Sequence, residues 1–205
     1  MDTAEIINTS ALLFAVIDPL GSVPVFLAVT AKHSPEDRTR IAVRAALIAG
    51  GVLLFFLVAG QLLLEAIQVP LDAFQISGGI ILFLFALTMI FGESKPEQEM
   101  GMIRSHQETA TFPLAMPSIA SPGAIMAVIL LTDNHRFSIS HQLVTAGIVV
   151  GIVGLTLVLL LGSRWIHRMI GDGGTGIVSR VMGMLLASVA ANNVLSGLRS
   201  YFSVG

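Results

Sequence analysis

Six apolar stretches, each about as long as a bilayer is thick, run at roughly 6–30, 42–64, 73–91, 112–132, 142–163 and 177–198. A spanning helix needs about 20 mostly apolar residues, so the spacing predicts an all-α membrane protein of six transmembrane helices. Polar segments separate the stretches at 32–40, 65–72, 92–111, 133–141 and 164–176, and almost every charge falls within them or at their edges. That distribution follows from the cost of holding an ionised side chain in hydrocarbon. Composition agrees, with 54% hydrophobic and 12% charged residues against about 25% charged in a soluble domain.

Several function classes lose support at once. A net charge of −2 with no basic run gives no footprint for nucleic acid. Without cysteine there is no thiolate nucleophile or Cys-based metal site, and His33, His106, His135, His141 and His167 fall in loops or at helix ends, so neither metal nor cofactor is expected. The absence of P-loop, dinucleotide and Gly-x-Ser-x-Gly fingerprints removes the usual grounds for an enzyme or an ATP-driven pump. With no Lys or Arg before Lys32, the first stretch lacks the positive flank of a cleaved signal and reads as retained.

Orientation follows from the basic residues. The first, third and fifth loops with their flanks hold Lys32, Arg38, Arg40, Arg44, Lys95, Arg104, Arg164, Arg168 and Arg180, leaving Arg136 and Arg199 for the other side. Cytoplasmic loops carry the Lys/Arg excess, which predicts both termini on the periplasmic face of an inner membrane. Trp165 and Tyr201 suit interfacial anchoring.

Two stretches are interrupted. In Phe14-Ala-Val-Ile-Asp-Pro-Leu-Gly-Ser-Val-Pro-Val-Phe26, an acid, two prolines and a glycine stand where a plain span would be apolar. The second interruption is Phe112-Pro-Leu-Ala-Met-Pro-Ser-Ile-Ala-Ser-Pro-Gly-Ala124. Proline removes a backbone donor and clashes with the preceding turn, and glycine admits unusual backbone angles. Pro19, Pro24, Pro117 and Pro122 should therefore break their helices. Irregular backbone at membrane depth survives only against protein or a wet cavity.

An offset of about 103 places Pro19 on Pro122 and, with slippage of one or two, Gly60 on Gly162 and Thr30 on Thr132. At 105, Gly78, Ala86 and Gly92 meet Gly183, Ala191 and Gly197. Three helices per half is odd, so the halves enter from opposite sides. The expected fold is a single membrane domain of two inverted repeats with broken first and fourth helices: 1–95, a cytoplasmic linker at 96–111, and 112–205. The two breaks then lie together near mid-membrane.

At such breaks, free N–H groups suit an anion and free carbonyls suit a cation or ammonium, so facing breaks suit a zwitterion. Candidate binding residues are Asp18, Gly21, Ser22, Ser118, Ser121, Gly123, Asn192 and Asn193. Asp18, the acid deep in an apolar stretch, either pairs with a substrate ammonium, carries a coupling proton or sodium, or caps the following half-helix; these roles are compatible. For Asn192 and Asn193 the structural alternative is an amide bond to a neighbouring helix. The recurrent small residues, among them Gly50, Gly147, Gly151 and Gly154, are read as helix packing.

The run Leu13-Phe-Ala-Val-Ile-Asp-Pro-Leu-Gly-Ser-Val-Pro-Val-Phe-Leu27 resembles the opening signature of the MarC family of bacterial inner-membrane proteins. Ile76-Ser-Gly-Gly-Ile-Ile-Leu-Phe-Leu84, Pro113-Leu-Ala-Met-Pro-Ser-Ile-Ala-Ser-Pro-Gly-Ala-Ile125 and Arg180-Val-Met-Gly-Met-Leu-Leu186 agree in order. The resemblance implies a six-helix member of the broad LysE-like transporter group, which includes proteins described as neutral amino acid transporters. Two departures bear on substrate choice: Ser121 stands where the family often has Gly, and Asn192-Asn193 replaces a Gln-bearing segment. The expected function is a secondary transporter of small neutral amino acids or similar zwitterions, with a passive channel or exporter as the alternative. Membrane lipid is the expected surrounding, and assembly into a homo-oligomer stays open.

Overall fold

The structure, a computed structural model, describes residues 1–91, 110–133 and 137–203, and their regular structure is entirely helical. The expected linker over 96–111 lies almost wholly outside the described residues, as do His106, His135 and Arg136.

The first stretch folds as two helices, α1 (Thr3–Ile17) and α2 (Pro19–Val29), divided at Asp18. Asp2 opens α1 with a capping box, its carboxylate accepting from Glu5 N–H while Glu5 reaches back to the Asp2 N–H. Next comes α3 (Pro35–Ala66), started by Ser34 as cap, proline at the first helical position, and Glu36 and Asp37 at the positive end of its dipole. The shorter α4 (Leu71–Phe91) follows. The fourth stretch divides as the first does, into a π-helical segment π1 (Ala110–Ile119) and α5 (Pro122–Leu130). Then α6 (Ile139–Leu161) leads through Gly162 into α7 (Ser163–Ser203).

Among the described residues, five spans have the length and composition to cross a membrane: Thr3–Val29, Pro35–Ala66, Leu71–Phe91, Ile139–Leu161 and Arg180–Phe202. The fourth stretch, π1 with α5, is not among them. Elsewhere the sequence predicts a loop over 164–176, whereas α7 is helical from residue 163 through 203. At 1.5 Å per residue its 41 residues extend about 60 Å, roughly twice the hydrocarbon core. Hydropathy marks where a chain leaves lipid, not where a helix stops; the polar 164–176 segment ends the apolar run without ending the hydrogen-bond ladder.

The broken first span is the axis of the bundle. Two thirds of its apolar window is buried (67%), against 22–33% in the other four spans. Leu13, Ile17, Val25, Leu53, Met89, Leu114, Ile119 and Leu186 fill the core around it. The outer faces carry Leu47, Phe55, Val58, Leu62, Ile81, Leu84, Leu155 and Leu185 exposed, a surface suited to the hydrocarbon of a bilayer. Helix α4 packs along α7, and α3 along α6. Inside these, α2 lies against α6 and α7, α5 against α3 and α4, α1 against α5 and α6, and π1 against α2 and α3.

Close approach along α4 and α7 depends on glycine. A Cβ on Gly79 would stand 3.0 Å from the Ala190 carbonyl oxygen, one on Gly183 3.1 Å from that of Ala86, and one on Gly197 3.0 Å from that of Asp72. These are backbone-to-backbone contacts of the small-residue type that lets helices associate in lipid. By contrast Gly147, Gly151 and Gly154 on α6 meet nothing within 4 Å.

Candidate functional site

The first break is built from four consecutive residues. Asp18 takes the left-handed conformation (φ 51°, ψ 65°), one that Asp tolerates better than most residues, and so ends α1. Its N–H still donates to Phe14 O, closing the last turn. Pro19, at the first position of α2, has no N–H to lose. The Asp18 carboxylate then folds forward, Oδ1 accepting from Gly21 N–H at 3.0 Å. A Cβ on Gly21 would collide with that carboxylate, which is why Asp-Pro-Leu-Gly takes glycine at its fourth place. The cap expected of Asp18 is thus present, and the side chain is 2% exposed.

At the second break Ser121 takes the corresponding place. Its hydroxyl accepts from Ala124 N–H at 3.1 Å, capping α5, and donates to Val16 O at 3.0 Å. Val16 lies in the last turn of α1, where carbonyls lose their helical partners, so the second break satisfies an acceptor that the first one frees. A further link joins the breaks: Ser22 Oγ donates to Asp18 O at 3.1 Å and lies 3.1 Å from Ser118 Oγ. Because Ser22 has one hydroxyl proton and gives it to Asp18, Ser118 is the donor between the two serines. The result is a buried relay, Ser118 to Ser22 to the Asp18 carbonyl, joining positions 96 residues apart.

Of the expected residues, Asp18, Gly21, Ser22, Ser118 and Ser121 come together here, all buried. Pro24 sits inside α2 and Pro117 within π1. Gly123 packs against Leu82 of α4, whose side chain would have to shift to admit a Cβ there. Asn192 is exposed on the outer face of α7 and Asn193 is half-buried, so the amides stand apart from the paired breaks. Beside Pro122 lies a cavity of about 240 Å³ between α4 and α5, walled by Ser77, Gly78, Ile81, Ile125 and Met126 and mostly apolar.

Two features escaped the sequence reading. Asp133, placed there in a polar loop, is 3% exposed, making it a second buried carboxylate besides Asp18. Thr30 and Thr132 close the two short helices alike, each hydroxyl donating 2.6 Å to the carbonyl four residues back, and Thr132 also reaches Leu57 O at 3.1 Å. Their alignment at the repeat offset was the available signal.

Replacing Ser22 and Ser118 by Ala, singly and together, should reveal a coupling of about 1 kcal/mol in a double-mutant cycle of thermal melts. Additive losses would mean that the 3.1 Å contact contributes nothing of its own.

Comparison with known proteins agrees over nearly the whole chain. Residues 3–202 match the model of a family described as MarC family integral membrane protein. The chain is 36% identical over 197 residues to the inner membrane protein YhgN of Escherichia coli, covering 96% of this chain and 98% of that one. It is 32% identical over 200 residues to a membrane protein of Buchnera aphidicola subsp. Baizongia pistaciae, with 98% and 99% covered. A membrane protein of Methanocaldococcus jannaschii is 31% identical over 202 residues, with 97% and 98% covered. No solved structure matches.

Proposed function

The chain belongs to the MarC family of integral membrane proteins, and on that premise we propose that it is a secondary transporter of small neutral amino acids or similar zwitterions across the inner membrane. The observation that carries the reading is the pairing of the two breaks at the bundle axis, with the Asp18 carboxylate, the serine relay and the interrupted backbone within one buried cluster. Broken spans that meet inside a membrane bundle present helix ends to a solute from both directions. Burial of Asp18, Ser22, Ser118 and Ser121 favours a gated site over a standing pore, and in this reading the Ser22–Ser118 contact parts when a solute enters.

Two inverted three-helix halves are part of the proposal, and the packing supports them. Exchanging α1 with π1, α2 with α5, α3 with α6 and α4 with α7 carries each principal contact onto another: α1–α6 onto π1–α3, α2–α7 onto α5–α4, α2–α6 onto α5–α3, and α1–α5 onto π1–α2. The pairs α3–α6 and α4–α7 map onto themselves. Caps follow suit, with Ser34 opening α3 and Ser138 opening α6. Only the minor contacts α1–α7 and α6–α7 lack a counterpart of similar extent among the described residues. In this scheme α4 and α7 are the seam on which one half rocks against the other.

Flux in proteoliposomes tests the function. A labelled neutral amino acid should accumulate against its gradient and be released when proton or sodium gradients are collapsed; downhill flux alone, indifferent to both, identifies a channel. Tags at the two termini should both report from the periplasm, and a cytoplasmic C-terminus would remove the inverted repeat.

A further inference from the structure

At the end of the bundle where α2 and α6 finish and α3 and α7 begin, a cavity of about 170 Å³ opens between Arg38, Leu160, Leu161 and Arg164. It is remote from the paired breaks in chemistry: two guanidinium groups line it, and among the described residues no carboxylate does. Arg38 is held in place, Nε donating to His33 O at 3.2 Å and Nη2 to Ala31 O at 3.0 Å, so two main-chain carbonyls fix its plane, and among the described residues no carboxylate pairs with its charge. The neighbouring Asp37 carboxylate turns instead to Ser34 Oγ and Arg40. The inner wall is apolar, with Leu160 fully buried, while Leu161, 50% exposed, carries that wall out to the lipid-facing surface. Next to Arg164 is Trp165, 67% exposed, a residue type that settles at headgroup level.

We propose that this cavity binds the phosphate of an anionic phospholipid headgroup. Arginine forks match phosphate oxygens in pairs, and the volume is the room of about six waters at ~30 Å³ each, enough for a phosphate and part of its glycerol. A soluble phosphate would satisfy the arginines equally. The apolar wall running from Leu160 to Leu161 decides for lipid, because only a ligand with acyl chains uses it. The loops here belong to the face with the Lys/Arg excess, where anionic lipid is drawn to basic residues.

Trp165 is the only tryptophan in the sequence and reports on its own surroundings. The full chain, reconstituted in phosphatidylcholine with a minor fraction of phosphatidylglycerol, should have Trp165 quenched more by brominated phosphatidylglycerol than by the same fraction of brominated phosphatidylcholine. The expected local enrichment is about fivefold per arginine. Arg164→Gln should bring the two lipids towards parity and Arg164→Lys should retain most of the difference. Since Arg164 is exposed and Arg38 is not, Arg164 is changed first, to spare the fold. Arg40→Gln, outside the cavity, should leave the preference intact. Equal quenching by both lipids in the wild type, or a preference that survives the Arg38→Gln/Arg164→Gln pair in a folded protein, would overturn the proposal. In lipid-free detergent, inorganic phosphate should leave Trp165 emission unchanged. An Arg164-dependent response there, with no phosphatidylglycerol preference in vesicles, would assign the site to a soluble phosphate instead.

Discussion

Asp18→Asn should fold and melt like the wild type in detergent, yet transport about 10- to 100-fold more slowly, the loss expected when a charge-assisted contact of about 1.5–3 kcal/mol is neutralised. The substitution separates the two roles of this side chain. As a cap, Asp18 needs an oxygen facing Gly21 N–H and a backbone at ease with φ 51°; Asn supplies both, ranking with Asp at N-caps and in the left-handed region. What Asn lacks is the negative charge. Asp18→Ala removes cap and charge together and costs about 1–2 kcal/mol of stability, so its inactivity would prove little. Wild-type transport by a folded Asp18→Asn protein would reduce Asp18 to a cap and shift the ligand contacts to backbone and serines. Initial uptake rates, normalised to monodisperse protein, are the measurement.

Asp18 stands out in the sequence because its chemistry is local. Apolar runs are legible because the bilayer imposes one length on each crossing. The breaks are legible because Asp-Pro-Leu-Gly and Ser-Pro-Gly change backbone chemistry locally, whatever they pack against. Distant contacts carry no such local mark. Ser22 and Ser118 meet across 96 residues, and nothing in either segment alone says so; only the repeat offset put them in one region. Asn192 shows the reverse error: an amide inside an apolar stretch suggests the core, but which side of α7 it faces depends on the rotation of that helix against α4, and the glycines at 183 and 197 turn it outward. Asp133 lies in the loop after α5, as its charge suggests, but it is packed inside, which charge alone does not announce. Helix α7 runs through a glycine-bearing polar segment because hydropathy measures depth and says little about hydrogen bonding along the chain.

The glycine seam yields the other large effect. Gly79→Leu should destabilise the protein by about 3 kcal/mol or more, the upper part of the range for overpacking, seen as an early-melting or aggregated protein in detergent. The reason lies in what a side chain would strike. At Gly79 the Ala190 carbonyl oxygen stands 3.0 Å and the Val194 N 3.1 Å from the added Cβ, and backbone of a helix cannot swing aside as a side chain can. Glycines facing outward should respond with the opposite sign: Gly147→Ala and Gly151→Ala meet nothing within 4 Å, and better helix propensity should hold or raise stability by up to about 1 kcal/mol. Gly79→Ala is the sharper probe of function. One methyl, 2.8 Å from Val194 Cγ2 and 3.0–3.1 Å from the backbone of Ala190 and Val194, asks the seam to widen by far less than leucine does. But α4 and α7 come from opposite halves of the chain, and in the proposed rocking mechanism their glycine-lined seam is the surface on which the halves would move past each other. A methyl there is a knob on the sliding surface, so Gly79→Ala should slow transport more than it lowers the melting temperature. Equal, slight effects on both would make the seam packing alone and move the rocking axis to the smaller contacts around the breaks.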